Sequence, residues 1–307
     1  MLKVDKRFSQ GLNFVASYTA QKNIADAGIG GYFSNTWTGG ANWGNGRGRQ
    51  FQLGASSISN NGGGQNPDNW KADRSLASDD IPQIFNLAWT YELPFGPGKP
   101  FASSAHGVVR QVVQGWKFSG SFNAQTGVPL AISGPCNPLE AVYAPAYGCR
   151  PNLIGDPQAG RGSKNRYQLE HGWFKPNAFE AVYGSDPAII ALATSGTPAQ
   201  KDAHNEFWRF GTAGFRLPGA RSPSFWDMDA AFTKDFKISE ARYFQFRAEA
   251  YNALNHQSLG IPNTGWCLPP NPDGSTDAVH QFGCQFGWIG TVQRDPRAFE
   301  FGLKFVF

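Results

Sequence analysis

The chain has 307 residues, of which only 16% are charged, against roughly 25% in soluble globular proteins, and it is rich in glycine (37) and proline (21). A net charge of +4 from scattered Lys and Arg argues against a nucleic-acid partner. The longest apolar run, Ala188 to Ala193, falls far short of the ~20 residues of a membrane-spanning helix. Aromatic side chains reach 14%, the reverse of a disordered composition.

The chain opens MLKVDKRFSQG, without the apolar core and small-residue cleavage site of an export signal. A short strand is expected from Leu2 to Arg7. In the second candidate strand Leu12, Phe14, Ala16, Tyr18 and Ala20 alternate with Asn13, Val15, Ser17, Thr19 and Gln21. The same period of two returns at Phe85 to Leu93, Trp116 to Gln125, Trp226 to Thr233, Phe244 to Tyr251 and Arg297 to Phe307. Seven strands of about 10 residues result. At ~3.3 Å per residue and ~40° tilt each rises about 25 Å, the height of the apolar band of an outer-membrane barrel. One face of each is aromatic. The other carries Asp227, Asp229, Arg247, Glu249, Glu300 and Lys304, which a dry protein core does not accept but a hydrated lumen does.

The connections alternate in length. Ser9-Gln10-Gly11 and Lys237 to Ala241 are hairpin-sized, whereas 21–83, 127–225 and 255–296 exceed the loops of soluble domains. This is the asymmetry of short periplasmic turns and long external loops, with Phe307 on the periplasmic side. Segment 95–115 is the long exception on the short side, and Val108 to Val113 reads there as a helical turn at the membrane surface. The fold class is all-β, an antiparallel transmembrane β-barrel section. Seven is odd and below the eight strands of the smallest single-chain barrels, so the expectation is an incomplete barrel whose edges need upstream strands or further copies.

The ordered stretches VDKRFSQGLNFVASYT, FNLAWTYELPFGPGKPF, GWKFSGSFNAQTGVPL, WFKPNAF, FWDMDAAFTKDFKI, FQFRAEAYNALNHQSLGIPNT and FEFGLKFVF together resemble the C-terminal part of TonB-dependent outer-membrane receptors of the Oar-like group. The resemblance spans nearly the whole chain. It implies roughly the last third of a 22-stranded transporter barrel. Phe299, Phe301, Leu303, Phe305 and Phe307 then stand where the barrel-assembly machinery reads its signal. The plug, TonB-contacting segment and regulatory domain of that group are not visible, so TonB is expected to act only through a plug outside this chain. The partners expected are outer-membrane lipid, the missing strands and plug, and the assembly machinery.

Site-like residues are few. Asp227, Asp229, Arg247 and Glu249 form the best lumen-facing charge cluster. If Phe236 lies near Arg242, Asp229 falls opposite Glu249 with Arg247 diagonal to both. Such a network serves a barrel wall as readily as acid–base chemistry, and no catalytic role is assigned. Cys136 with Cys149, and Cys267 with Cys284, read as loop disulfides of an oxidising compartment. Cys267, His280 and Cys284 as zinc ligands lack a fourth donor. His256 and Ser258 lack an orienting acid. Tyr32, Phe33, Trp37 and Trp43, in a Gly- and Asn-rich loop, form a candidate ligand-contact surface. Lys234 breaks the aromatic face where its stem can snorkel to headgroups, and Trp116, Trp226 and Tyr243 read as interfacial girdle residues. No cofactor, metal or enzymatic activity is expected. The alternatives are a passive porin or adhesin-like barrel built from several copies, and a secreted glycan-binding β-sandwich.

Overall fold

The computed structural model describes residues 1–26, 69–136, 149–158, 165–184, 186–239, 242–277 and 279–307. One seven-stranded sheet dominates it, formed by β1 (Leu2–Ser9), β2 (Leu12–Ala20), β3 (Gln83–Glu92), β4 (Trp116–Gln125), β5 (Phe225–Lys237), β6 (Tyr243–Tyr251) and β7 (Ala298–Val306). The strands lie side by side in chain order, and every neighbouring pair is antiparallel. All seven strands expected from the sequence are present. β5 continues past the alternating stretch Trp226–Thr233 to Lys237, because Lys234 to Lys237 pair with Phe246 to Tyr243.

Pairing keeps the two faces distinct across the sheet. Phe14 lies opposite Trp89, Trp89 opposite Gly120, Gly120 opposite Ala230, Ala230 opposite Ala250 and Ala250 opposite Phe299. With side chains alternating along each strand, the rings therefore share one face. Neighbouring rings touch along it, with centroid separations of 5.9 Å for Trp89 and Phe118, 4.9 Å for Phe118 and Phe232, and 4.7 Å for Phe244 and Phe305. Gly120 makes room for this packing, since a Cβ there would come within 2.5 Å of the Trp89 ring.

Among the described residues no second protein layer encloses that face. Phe299 remains 61% exposed, Phe301 and Leu303 70%. Most of the described buried apolar residues lie elsewhere, in a cap at one end of the sheet formed from the described parts of connections 126–224 and 252–297. Ile132, Phe174, Phe179, Tyr183, Phe207 and Trp266 are fully buried there. Short two-stranded ribbons (Asn152–Leu153 with Phe179–Glu180, Pro129–Leu130 with Leu217–Arg221) and short helices frame this core. The apolar run that is too short to cross a membrane becomes the cap helix Pro187–Ser195, with Asp186 accepting from the Ala188 amide at 2.8 Å.

The opposite end holds the short connections. Gln10 and Gly11 both adopt positive φ (53° and 81°), as a two-residue hairpin that follows strand twist requires. The connection from β3 to β4 contains the helix α1 (Gly107–Val113), where the sequence placed a helical turn. Lys234 does not extend away from the sheet. Its buried ammonium donates to the Gln114 carbonyl just beyond α1 and lies 5.4 Å from the Trp116 ring centroid and 4.8 Å from that of Phe236. The reason is that α1 brings an unsatisfied helix-end carbonyl within reach, a better partner than a distant headgroup. Tyr243 also departs from expectation. It pairs with Lys237 and Val306 in phase with Gln245, and so belongs to the polar face rather than to a girdle.

Candidate functional site in the polar face and its cap

Where the polar face meets the cap, Arg294 reaches from the segment before β7 to two carboxylates of β5. Its Nη2 is 2.5 Å from Asp229 Oδ1 and 3.1 Å from Asp227 Oδ2. Asp227 is fully buried, and Asn123 of β4 donates to it at 3.4 Å. Asp229 also accepts from the Asn252 amide at 3.0 Å. Asn252 knots the end of β6 to the cap: its side-chain amide donates to the carbonyls of His256 and Asp295, and its Oδ1 accepts from the His256 amide. A buried carboxylate costs several kcal/mol unless it is paired, and Arg294 supplies that pairing.

The charge cluster expected from the sequence is therefore divided. Glu249 stands opposite Ala231, not Asp229, and on its other side opposite Glu300. Arg247 pairs with Glu249 on its own strand, and Tyr251 donates to the same carboxylate at 3.0 Å. The turn between β5 and β6 is centred one residue later than assumed, which displaces every cross-strand partner by two. Such a displacement leaves the faces unchanged, so the alternation could not detect it. Arg294 was missed because it lies in irregular chain 65 residues from Asp229.

Two further arginine–aspartate pairs anchor the cap. Arg150 binds Asp73, with both side chains buried, and Arg221 Nη2 is 2.5 Å from Asp80 Oδ2. Burial opposes ionisation of Asp80, but Arg221 and the Asn23 amide outweigh it and hold the carboxyl below its ordinary range. Beside Arg221 a cleft of about 500 Å³ opens, lined in part by Trp173, Trp226, His256 and Gln257. The His256 ring stacks on Trp226 at 3.7 Å, and burial lowers its pKa. Ser258 donates to the Trp226 carbonyl at 3.2 Å. This pair thus serves to hold the loop rather than to form a nucleophile and base.

Cys136 is bonded to Cys149 and Cys267 to Cys284, with Cα separations of 4.9 and 5.7 Å. The thiolates of a zinc site are therefore absorbed, and His280 Nδ1 lies 2.9 Å from Asp277 instead. Among the described residues no cluster of three or more His, Cys, Asp or Glu is arranged to hold a metal. Tyr32, Phe33, Trp37 and Trp43 lie outside the described residues. Phe299, Phe301, Leu303 and Phe305 line the aromatic face of β7, and Phe307 follows its end.

A long-stranded antiparallel wall, aromatic and bare on one face, polar on the other and capped by ordered loops, is the architecture of a β-barrel membrane protein. The family model for the outer membrane beta barrel domain matches residues 1–299, and the chain belongs to that family. Its place is the cell outer membrane, with the aromatic face toward lipid. No curated protein matches the sequence.

Proposed function

We propose that this chain is the C-terminal wall section of a TonB-dependent transporter barrel of the Oar-like group, and that it admits a ligand without chemistry of its own. The observation that carries this reading is the sheet itself. Seven consecutive strands form a wall whose terminal strands β1 and β7 each pair on one side only. Unpaired strand edges are costly in hydrocarbon, so further strands of a larger barrel complete them. The ordered motifs that resemble Oar-like receptors support that barrel type, and on this reading the cap faces outward. On this reading the short turns face the periplasm, a plug fills the polar side, and TonB acts through that plug. The β7 aromatics and Phe307 are read by the barrel-assembly machinery.

The test uses the protein purified from its native outer membrane. It is expected to be retained by immobilised periplasmic TonB domain and to give no steady potassium chloride conductance in a planar bilayer. Steady conductance without TonB retention identifies a passive porin and overturns the proposal.

A further inference from the structure

We propose that the β3–β4 connection is a membrane foot: α1 lies in the headgroup region of the leaflet at the short-turn end and binds anionic phospholipid. The helix presents Val108, Val109 and Val112 to the outside, at 79%, 61% and 52% exposure. At 100° per residue these three, with Val113, occupy one arc, and Arg110, Gln111 and Gln114 occupy the rest. Preceding it, Phe101 and Phe95 are also exposed, their rings 5.7 Å apart. Six exposed or half-exposed apolar side chains in one connection are a surface that needs a cover.

Continuity with the lipid-facing wall identifies the cover. Trp116 of the aromatic face donates its indole N–H to the Val112 carbonyl at 2.9 Å. Lys234, on the same face, holds the Gln114 carbonyl and lies between Trp116 and Phe236. The helix thus hangs from the last aromatic row, at the level where the hydrocarbon gives way to headgroups. Gly107 and Gly115, with φ of 59° and 76°, permit the chain to turn into and out of it.

Charge completes the match. From Phe95 to Trp116 the sequence has no Asp or Glu and carries Lys99 and Arg110. Lys99 is shared with Glu92 at a loose 3.9 Å, and Arg110 donates to Gln114 at 3.1 Å with its charge unneutralised by any acid of the segment. A short amphipathic helix bearing valines and a cation, tied to a membrane wall, fits an anionic phospholipid surface. The name of that leaflet, periplasmic, rests on the orientation proposed above.

All four cysteines are disulfide-bonded, so Val109→Cys adds a single thiol for an environment-sensitive fluorophore. The full chain is placed in phosphatidylcholine nanodiscs with or without phosphatidylglycerol. Emission is expected to be blue-shifted and quenched by phospholipid brominated near the headgroup. A label at Ser239→Cys, in the β5–β6 turn, is expected to be quenched by aqueous iodide instead. R110Q is expected to reduce the phosphatidylglycerol effect about fivefold. Hydrogen exchange of residues 107–114 in the unsubstituted chain gives the same comparison without a label. A Val109 label open to iodide, or one shielded only when two copies share a disc, overturns the proposal. Neither measurement involves TonB or ligand, so failure here leaves the transporter reading standing, and a passive pore would still give the positive result.

Discussion

Arg294 and Asp229 lie 65 residues apart in sequence and 2.5 Å apart in space, and this contact fastens the last long loop to the polar face of the wall. The same guanidinium neutralises buried Asp227. Replacing it with Gln removes the cation that two carboxylates on one strand share, one of them shut off from water. Arg294→Gln is therefore expected to cost about 3 kcal/mol, as other broken buried pairs do. Hydrogen exchange should show residues 252–297 loosening while β5–β6 pairing persists. In the double variant with Asp227→Asn the losses should be less than additive, because the buried charge is gone. Additive losses would mean that the two residues act independently.

His256 makes the same loop sensitive to pH. Burial against Trp226 lowers its pKa below the ordinary ~6.5, so the unfolded loop binds a proton more readily than the folded one. The sign follows: stability is constant above the unfolded value and decreases as pH falls from there through the folded value, below which it levels off. Proteolysis of the 252–297 loop should accelerate over that window, and His256→Gln should flatten the profile. An unchanged slope in His256→Gln would assign the effect to another group.

The wall was legible in the sequence because lipid on one side and water on the other impose a period of two on every strand. Phe118, Phe232 and Phe301 can be assigned to one face without knowing their partners. Register was legible only to within two residues, since alternation is unaffected by that shift and the geometry between Lys237 and Tyr243 decides it. The cap was not legible. Phe174 and Trp266 sit in irregular chain and Phe207 in a single 3-10 turn, none with any periodicity, and their common burial arises from contacts between distant loops. Arg294 is hidden for the same reason, whereas the cysteines could be paired because each partner is local, at separations of 13 and 17.

The local disulfides suit a cap that lacks long secondary elements. Closing the 17-residue span from Cys267 to Cys284 removes denatured-state freedom worth about 3 kcal/mol. The double variant Cys267→Ser/Cys284→Ser should expose the Leu268 and Gln281 amides, which now bond to Val279 and Leu268, to faster exchange. The seven-stranded sheet should keep its protection. Loss of protection throughout β5–β7 instead would show cap and wall to be one cooperative unit.

Gly120 tests the packing within the wall. A Cβ there would lie 2.5 Å from the Trp89 ring and 2.6 Å from the Asp229 carbonyl oxygen. The ring can turn aside, but the backbone oxygen of a paired strand cannot. Gly120→Ala is therefore expected to destabilise the sheet by about 1–3 kcal/mol in urea titrations of vesicle-reconstituted protein. Shrinking the ring with Trp89→Leu should restore only part of that loss, and full restoration would show Asp229 to be uninvolved.

The wettability of the two faces can be measured directly on adjacent residues of β5. Phe232 lies mid-strand on the aromatic face, between Phe118 and Ala248, while Ala231 lies on the polar face between Ser119 and Glu249. An arginine at 232 must place its charge near the hydrocarbon centre, at a cost of about 2–4 kcal/mol. An arginine at 231 meets water and the Glu249 carboxylate. Urea unfolding from phospholipid vesicles should therefore penalise Phe232→Arg and leave Ala231→Arg close to the parent. The reverse order would require the aromatic face to be the wet one, and with it would go the membrane-facing assignment of Trp89, Phe246 and Phe301 alike.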